Sequence, residues 1–180
     1  EGDDMFILSG GAWFRVQRDF ASLVNTYVEQ IPDADLDLPA CYRGENEQGY
    51  NLRAAEELRC LCLDRQLVTL AGSKVEVCDL LTNKNQLIHV KPWRSSSTLS
   101  HLFSQGRVSA ESLLQDQGFR EETMRLIERI EPGFPSSIAI DKLDPTDFEV
   151  VYAVIYSGER PMHQRLPFFS KLNMMNAVKG

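Results

Sequence analysis

The sequence lacks the features that would identify a membrane or secreted protein. Among its 180 residues there is no apolar run approaching the length of about 18 that a membrane-spanning helix needs. The first residues, EGDDMFILSGG, do not show the charged and then apolar layout of a signal peptide. We therefore expect no membrane partner. Because the chain begins with Glu1 and not Met, we expect a processed chain or a piece of a longer protein, whose other part would supply a further domain or subunit.

Cysteine is scarce, and its spacing does not suggest a disulfide framework. The chain has 4 Cys, of which Cys60 and Cys62 are too close in sequence for an easy bridge. These two could begin a metal site, but no second Cys or His pair follows at the spacing of a zinc module. We predict reduced thiols in a cytoplasmic protein.

An excess of positive charge is also missing. The net charge of −7 argues against a protein that coats nucleic acid unspecifically, because such binding depends on neutralising phosphates. A local basic segment nevertheless exists: Lys91, Arg94 and Arg107 follow Asp79 with no acidic residue before Glu111. This segment would allow contact with nucleic acid over a small patch, and ordinary surface charge is the alternative.

The sequence contains no P-loop and no G-x-S-x-G string. His89 and Lys91 match the first half of the phospholipase D motif, but the Asp and the Gly-Ser-x-x-Asn that should follow are missing. A Cys78 nucleophile acting with His89 or His101 is disfavoured, because Cys78 is expected on the strand face opposite Asp79.

Hydrophobic periodicity predicts an α/β (α+β) protein. Hydrophobic residues make up 43% of the chain, enough for a substantial core. The predicted elements, in order, are a hairpin around Gly10 and Gly11, a helix over 19–31, a polar linker over 32–49, a helix over 50–63, a strand over 67–70, a hairpin over 75–90, a helix that stops at Gly106, helices over 109–114 and 119–130, a strand over 148–156 and a helix over 166–178. We divide the chain into a hairpin-helix subdomain, 1–48, and a core domain, 49–180. The strand over 148–156 is nearly continuous in apolar residues, which predicts a central position with both faces covered.

The central hairpin carries polar residues where a purely structural hairpin would have apolar ones. If its loop is the three residues 83–85, Asp79 lies opposite His89, and Lys91 shares their face because side chains alternate along a strand. A two-residue loop would shift the register by one residue and separate Asp79 from His89. The functional interpretation depends on this register and on a common face for Asp79 and His89. An ion pair of Asp79 with Lys91 on a solvent face is the alternative.

From residue 50 onward, the order of elements resembles the α-β-β-β-α-β core of the restriction-endonuclease-like superfamily, the PD-(D/E)XK nucleases. The resemblance implies a mixed sheet flanked by helices, with a metal and phosphate site built by an Asp on the second strand and an acid-x-Lys on the third, often helped by a Glu from the first helix. It assigns the acid of the second strand to Asp79, the acid-x-Lys position to His89-Val90-Lys91, the helix acid to Glu56 or Glu57, and a Gln of the following helix to Gln105. His89 departs from the pattern, because an acid is expected there.

Phosphodiester hydrolysis needs an activated water, positive charge against the phosphate and a proton for the leaving oxygen. We predict Asp79, His89 and Lys91 as catalytic residues, with His89 as a ligand or a general base and Lys91 facing the phosphate. The predicted metal ligands are Asp79, His89 and Glu57. The metal would be Mg²⁺ or Mn²⁺, and a histidine ligand would also suit Zn²⁺.

The helix after the hairpin supplies candidate phosphate contacts. Ser97, His101 and Gln105 step by four residues and therefore share one helix face. The full predicted set for nucleic acid or phosphate is Ser96, Ser97, His101, Gln105, Arg94 and Arg107. The alternative is that this face is the solvated side of an amphipathic helix.

Several strings, among them CDLL, IHVK, SSSTLSHLFSQG and LPFFSK, resemble the C-terminal part of a sporadically distributed bacterial family of uncharacterised proteins. That family is found around mobile and defence islands, and the resemblance spans residues 5–171. We therefore predict a metal-dependent nuclease domain in an antiviral defence or mobile-element setting. The alternative is a non-catalytic interaction module of a defence system that keeps a degenerate nuclease fold.

Overall fold

The N-terminal part folds as its sequence predicts. The computed structural model describes residues 4–9, 11–70, 72–136, 138, 141–158 and 160–179. Its elements are β1 (Asp4–Ser9), β2 (Ala12–Gln17), α1 (Arg18–Glu29), α2 (Glu47–Leu58), β3 (Leu61–Cys62), β4 (Leu67–Leu70), β5 (Ser73–Glu76), β6 (Leu80–Leu81), β7 (Gln86–Pro92), α3 (Ser96–Gln115), α4 (Gln117–Ile130), β8 (Glu149–Ile155), α5 (Met162–Arg165) and α6 (Phe168–Lys179). Strands β1 and β2 form the predicted antiparallel hairpin and α1 follows. Gly10 of the predicted turn lies outside the described residues.

A four-stranded mixed sheet forms the centre of the molecule. Its order is β3-β6-β7-β8, with antiparallel pairs β3–β6 and β6–β7 and a parallel pair β7–β8. Helix α2 precedes these strands along the chain, and α3 lies between β7 and β8. The predicted fold class, α/β with a mixed sheet, is confirmed.

The first strand of this core is not the one predicted. We expected a helix over 50–63, but α2 ends at Leu58 because Arg59 adopts a left-handed conformation with φ 53°. The residues that follow form β3 and pair with β6. The predicted strand, β4, pairs with β5 in a separate hairpin outside the main sheet. The apolar residues of β3 continue the amphipathic pattern of α2, and this pattern does not indicate where the helix ends. The strand therefore could not be predicted from the pattern.

The apolar strand β8 lies at an edge of the sheet, not at its centre as predicted. Both of its faces are covered. Val151 and Ala153 pack with residues of α2, whereas Tyr152 and Val154 pack with residues of α3. A continuous run of apolar residues therefore predicts that both faces of a strand are packed against other elements. It does not predict whether the strand has one neighbouring strand in the sheet or two. The interior strands are β6 and β7, and residues Gln86–Val90 of β7 are buried.

Helix α3 runs through Gly106, where we predicted a stop. A Cβ atom at this position would lie 2.5 Å from the Tyr152 ring, whose hydroxyl donates a hydrogen bond to the Phe103 carbonyl oxygen at 3.2 Å. Gly106 is thus a point of close approach between helix and sheet and not a helix end. Glycine serves both purposes, and only the packing distinguishes them.

We expect Gly106→Ala to lower the free energy of unfolding by about 1–3 kcal/mol, because the added methyl group displaces the packed Tyr152 ring. Equilibrium urea unfolding measures this change. In a Tyr152→Leu background the same substitution should cost little, because alanine is the better helix former. Equal costs in the two backgrounds would contradict the assigned contact.

Helix α1 packs in the same hydrophobic cluster as α3 and α6. Its Val24 and Val28 lie with Leu99, Leu102 and Phe103 of α3. The proposed division of the chain at residue 48 stays a prediction. None of the helices in the described ranges combines the length and apolar character needed to cross a membrane.

Candidate metal centre

The hairpin of β6 and β7 has the predicted three-residue loop. Leu80 pairs with Ile88 and Leu81 with Leu87, and the Thr82 amide donates to the Gln86 carbonyl oxygen at 3.2 Å. The loop therefore comprises residues 83–85, and its last residue, Asn85, takes a left-handed φ of 56°. Asparagine tolerates this conformation better than most residues. The predicted register is confirmed at these pairs.

At Asp79 the hairpin departs from a regular ladder. The Asp79 amide donates to the Ile88 carbonyl oxygen at 3.0 Å, although Ile88 is already the partner of Leu80. Two consecutive residues facing one is the pattern of a β-bulge. The Val90 amide then donates to the Asp79 Oδ2 atom at 2.6 Å. The bulge thus turns the Asp79 carboxylate into the sheet and uses it as an acceptor for the neighbouring strand.

Three carboxylates from separate segments meet beside this bulge. Ligand oxygens of Glu47, Asp64 and Asp79 all lie within 4.8 Å of one another. Glu47 is the first residue of α2, after the N-cap Asn46, and Asp64 follows β3. The Leu63 amide donates to the Asp79 carbonyl oxygen at 2.7 Å, which holds Asp64 close to Asp79. We call these three residues the acidic group.

The surroundings of the acidic group disfavour negative charge. The pKa of Asp79 is raised from its usual 3.8 to about 7, chiefly by burial. The hydrogen bond from the Val90 amide lowers it, and the carboxylates of Glu76, Asp64 and Glu47 contribute smaller increases to this net value. Burial also raises the pKa of Glu76. Clustered, partly desolvated carboxylates repel one another unless a proton or a cation lies between them. The site therefore favours a cation electrostatically.

Lys91 lies at the solvent side of this group. Its Nζ atom is 2.7 Å from the Glu47 Oε1 atom, and both side chains are about one quarter exposed, at 26% and 28%. They line an open cavity of about 330 Å³, together with Arg65, Arg94 and Thr98. A ligand in this cavity would meet the cationic side chains of Arg65, Lys91 and Arg94 and, of the acidic group, the Glu47 carboxylate.

The donor set fits a hard divalent cation. All three members of the acidic group offer carboxylate oxygens, which suit Mg²⁺ or Mn²⁺ better than Zn²⁺. One turn after Glu47, the fully buried Asn51 side chain has no hydrogen-bond partner for its amide nitrogen or oxygen among the described residues. Such an orphaned group normally has a water or a ligand nearby. Glu47, Asp64 and Asp79 would hold the ion.

A family model described as "Family of unknown function (DUF6119)" matches residues 1–180. The chain belongs to this family. The expected likeness to an uncharacterised family is thereby confirmed. No curated protein and no solved structure matches the chain. In this member of DUF6119, functional inference therefore depends on the site itself.

His89 does not join the acidic group. It is 3% exposed, its ring centroid lies 6.2 Å from that of Tyr152, and Tyr152 in turn contacts Phe103 of α3. Its neighbours Ile88 and Val90 pack on the opposite face, against residues of α2. The predicted convergence of Asp79 and His89 on one face is therefore wrong, because the bulge turns Asp79 out of the alternating pattern.

The buried position also sets the chemistry of His89. Burial lowers the pKa of His89 to about 4, so the imidazole is neutral at pH 7. Its Nε2 atom is buried with no hydrogen-bond partner among the described residues. A neutral imidazole on the α3 side of the sheet is too enclosed to exchange protons with a substrate at the cavity. The structure does not support the predicted roles of His89 as ligand or general base.

Helix α2 contributes its first residue to the site and not Glu57. The Glu57 Oε1 atom accepts a hydrogen bond from Arg53 Nη1 at 2.7 Å, and its side chain is 48% exposed. Glu57 near the end of α2 is thus a surface ion-pair partner, in contrast to the predicted ligand role. We missed Glu47 because we began the helix at residue 50. The N-cap Asn46, whose side chain accepts from the Gly49 amide at 2.7 Å, was the available signal.

The sequence analysis also missed Asp64. We had placed the preceding residues in a helix, where an acid after the apolar run LCL carries no special meaning. Once Leu61–Cys62 is a strand, Asp64 stands just past its end, beside the neighbouring Asp79. A single acidic residue just past a strand end predicts a metal ligand only weakly. A second acidic residue beside a neighbouring strand of the same sheet strengthens that prediction.

The predicted polar face of α3 is largely solvated. Ser97 and His101 are exposed and Gln105 is half-buried. Of the α3 residues, Thr98 lines the cavity, and it also completes the capping box with Ser95. The alternative interpretation, a solvated side of an amphipathic helix, describes this face best.

The other predicted phosphate contacts divide between the cavity and the surface. The Ser96 carbonyl oxygen accepts from the Ser100 hydroxyl at 3.0 Å, within α3. Arg107 donates to Glu111 at 2.7 Å, one turn along the helix. Arg94 is the member of the predicted set that lines the cavity. It remains a candidate for phosphate binding, together with Arg65, which the sequence analysis did not select.

The four cysteines are free thiols, as predicted. Burial raises the pKa of Cys60 to about 11 and that of the fully buried Cys78 well above its usual value. Both are therefore uncharged and weakly reactive at neutral pH. A Cys78 nucleophile is incompatible with this environment.

Proposed function

We propose that this DUF6119 member is a metal-dependent nuclease whose metal is held by Glu47, Asp64 and Asp79. The observation that carries the proposal is the meeting of three carboxylates from three chain segments, one of which, Glu47, lines an open cavity beside Lys91. A divalent cation bound there would activate a water and offset the negative charge that develops on a phosphodiester. The reaction adds water across one P–O bond and yields a phosphate monoester and a hydroxyl group.

The chain's own residues would supply the remaining needs of this reaction. Lys91 at the cavity wall would face the phosphate and oppose its charge. Arg65 and Arg94 on the same wall would position the phosphate chain. The hydrogen bond from the Val90 amide fixes one Asp79 oxygen and leaves the other for a ligand. These roles need no contribution from His89.

The order of the core elements also supports the proposal. An acid beside the second core strand and a lysine on the third occupy the places that the likeness to PD-(D/E)XK nucleases assigns to them. A nuclease of this kind would suit the defence or mobile-element setting expected from the sequence. We expect nucleic acid as the partner and leave the choice between DNA and RNA to experiment.

The direct test is cleavage of supercoiled DNA, single-stranded DNA and RNA by the purified chain with Mg²⁺, Mn²⁺ or Zn²⁺. We expect cleavage with Mg²⁺ or Mn²⁺ and none in EDTA. Zn²⁺ should support it poorly, because the ligands are carboxylates. Absence of cleavage on every substrate, together with absence of metal binding, would overturn the proposal.

Glu47→Gln is expected to weaken Mn²⁺ binding far more than Glu57→Gln. Loss of an outer-sphere partner already costs about 10–100-fold in metal affinity, so loss of a ligand should cost at least as much. Isothermal titration with Mn²⁺ measures the affinity without requiring activity. Glu57→Gln is a matched control on the same helix, because its carboxylate pairs with Arg53. Equal affinities of the two variants would contradict the assignment of Glu47.

An interaction module that keeps the fold but not the chemistry is the second candidate. Two observations favour it: Lys91 is already paired with Glu47, and His89 occupies the place of an acid and is buried away from the cavity. Such a module would bind nucleic acid with an affinity independent of divalent cations. Metal binding in the titration above, followed by cleavage, would exclude it.

A further inference from the structure

A second cavity, lined by aromatic side chains, lies next to the candidate metal centre. Its volume is about 570 Å³, within the usual range of small-molecule sites, and its aromatic residues are Tyr42, Tyr50, Trp93 and Tyr156. Trp93 and Tyr156 are half-buried, whereas Tyr42 is 62% exposed. We call this cavity the aromatic cleft. It therefore offers partly exposed rings on two walls, with Tyr42, which precedes α2, on one and Trp93 and Tyr156, which follow β7 and β8, on the other.

The rings of the cleft are held in place. The Arg53 guanidinium lies 4.0 Å from the centre of the Tyr42 ring, and Glu45 fixes it through a salt bridge of 2.8 Å. On the other wall, the Trp93 and Tyr156 ring centres are 6.3 Å apart at 63°. Rings fixed in advance lose little conformational freedom when a flat ligand stacks on them.

The cleft and the metal centre share one chain segment. Lys91, Pro92 and Arg94 line the cavity of the metal centre, whereas Trp93, between them, lines the cleft. A bound chain whose phosphate lies at Lys91 would therefore place a neighbouring base or sugar near Trp93. Every phosphate in a nucleic acid strand is followed by a sugar and a base, so a base is available next to a phosphate bound at Lys91. Stacking of a base on an aromatic side chain depends little on the base sequence.

Charge at the cleft favours an anionic chain over a neutral ligand. The Arg165 guanidinium lies 4.9 Å from the Tyr156 ring centre and 5.5 Å from that of Trp93. Among the described residues, neither Arg165 nor Arg94 forms a salt bridge with a carboxylate. In a chain with a net charge of −7, Arg94, next to Trp93 in sequence, and Arg165, beside the Trp93 ring, add local positive charge.

We propose that the aromatic cleft binds an unpaired nucleobase, and hence that the substrate is single-stranded nucleic acid or a strand with an extruded base. The base would stack on Trp93, with Tyr156 and Tyr42 as the further walls, while Arg165 and Arg94 neutralise the flanking phosphates. A base paired within a duplex cannot enter the cleft, because both its faces are covered by stacking. This inference rests on the proposed nuclease function and specifies its substrate class.

An extended peptide is the competing occupant. Strand β8 is an edge strand, and its residues Ala153–Ile155 line the cleft. An exposed edge strand can accept a peptide as an additional strand. Arg94 and Arg165, for which the described residues supply no carboxylate partner, favour the nucleic acid, because its phosphates offer an anionic group at every nucleotide whereas a peptide backbone offers none.

The experiment uses Trp93 as its own reporter. The chain has 2 Trp, and the other, Trp13, is 69% exposed on β2, so Trp13→Phe leaves Trp93 as the single tryptophan. In EDTA, a single-stranded oligonucleotide of about ten nucleotides should quench Trp93 fluorescence to saturation. A duplex of the same sequence should quench it far less. By fluorescence anisotropy, Trp93→Leu should weaken binding of the single strand by about 5–100-fold, whereas Trp93→Phe should restore most of it.

Tyr42→Ala is a second variant, on the exposed wall, and should also weaken binding of the single strand. Equal binding of the single strand by wild type, Trp93→Leu and Tyr42→Ala would overturn the inference. So would quenching by a pool of extended peptides without quenching by oligonucleotides, which would assign the cleft to peptide binding along β8. Cleavage with unchanged binding in the variants would defeat this inference alone. Quenching by single strands without any metal-dependent cleavage would support the cleft and defeat the nuclease proposal.

Discussion

Asp79→Asn is expected to abolish metal-dependent cleavage, with a loss in rate of about a thousandfold or more. The substitution removes the charge of the most buried ligand, and a bound metal contributes several kcal/mol to such reactions, each 1.4 kcal/mol being worth about tenfold. The asparagine oxygen can still accept the hydrogen bond from the Val90 amide, which spans 2.6 Å to Asp79. The fold should therefore be retained, and single-turnover cleavage with saturating Mn²⁺ measures the loss.

Lys91→Met provides the contrast for this prediction. It removes the cation facing the phosphate but leaves the acidic group intact. We expect cleavage to fall while stabilisation by Mn²⁺ in a thermal melt persists, whereas Asp79→Asn should lose both. Cleavage by Asp79→Asn within about tenfold of the wild type, or by Lys91→Met at the wild-type rate, would contradict the assigned roles.

The second large effect concerns stability in the absence of metal. The pKa of Asp79 is about 7 in the folded protein and 3.8 in its usual state, so the fold favours the protonated form. The stabilising contribution is complete below about pH 4 and is lost as the pH rises through about 7. By this linkage, a metal-free protein at pH 8.5 contains a buried carboxylate that costs about 2–4 kcal/mol, since one pKa unit corresponds to about 1.4 kcal/mol.

Asp79→Asn removes this cost and should raise the free energy of unfolding at pH 8.5 in EDTA by about 2–4 kcal/mol. At about pH 3 the variant and the wild type should be equally stable, since Asp79 is then largely protonated in both the folded and unfolded states. Urea unfolding at a series of pH values measures the difference. Addition of Mn²⁺ at pH 8.5 should stabilise the wild type only. A difference that is independent of pH would show that Asp79 is not the titrating group.

The central hairpin was predictable because its determinants are local. The polar run before Asn85 and the apolar residues on both sides specify the turn and the register of Leu80 with Ile88. The N-terminal hairpin and α1 were predictable for the same reason. In each case the relevant residues lie within a few positions of one another, and local conformational preference decides the outcome.

The orientation of the Asp79 side chain could not be predicted from local sequence. Alternation along a strand predicts which face a side chain takes, but it assumes a regular ladder. The bulge at Asp79 depends on the Val90 amide, eleven residues away in sequence, and on the pairing of β3 with β6. These long-range contacts turn the carboxylate toward Glu47 and leave His89 on the other face.

The sequence by itself determined the class of the fold, the register of Leu80 with Ile88 in the central hairpin, and the candidacy of Asp79 and Lys91. Tertiary structure alone decided that β3 is the first core strand, that β8 lies at the edge, that Gly106 accommodates Tyr152, and that Glu47 and Asp64 accompany Asp79. The physical reason is the range of the interactions. Turns and periodic faces are set by neighbouring residues, whereas a charged cluster exists only where separate segments pack closely enough for their carboxylates to meet.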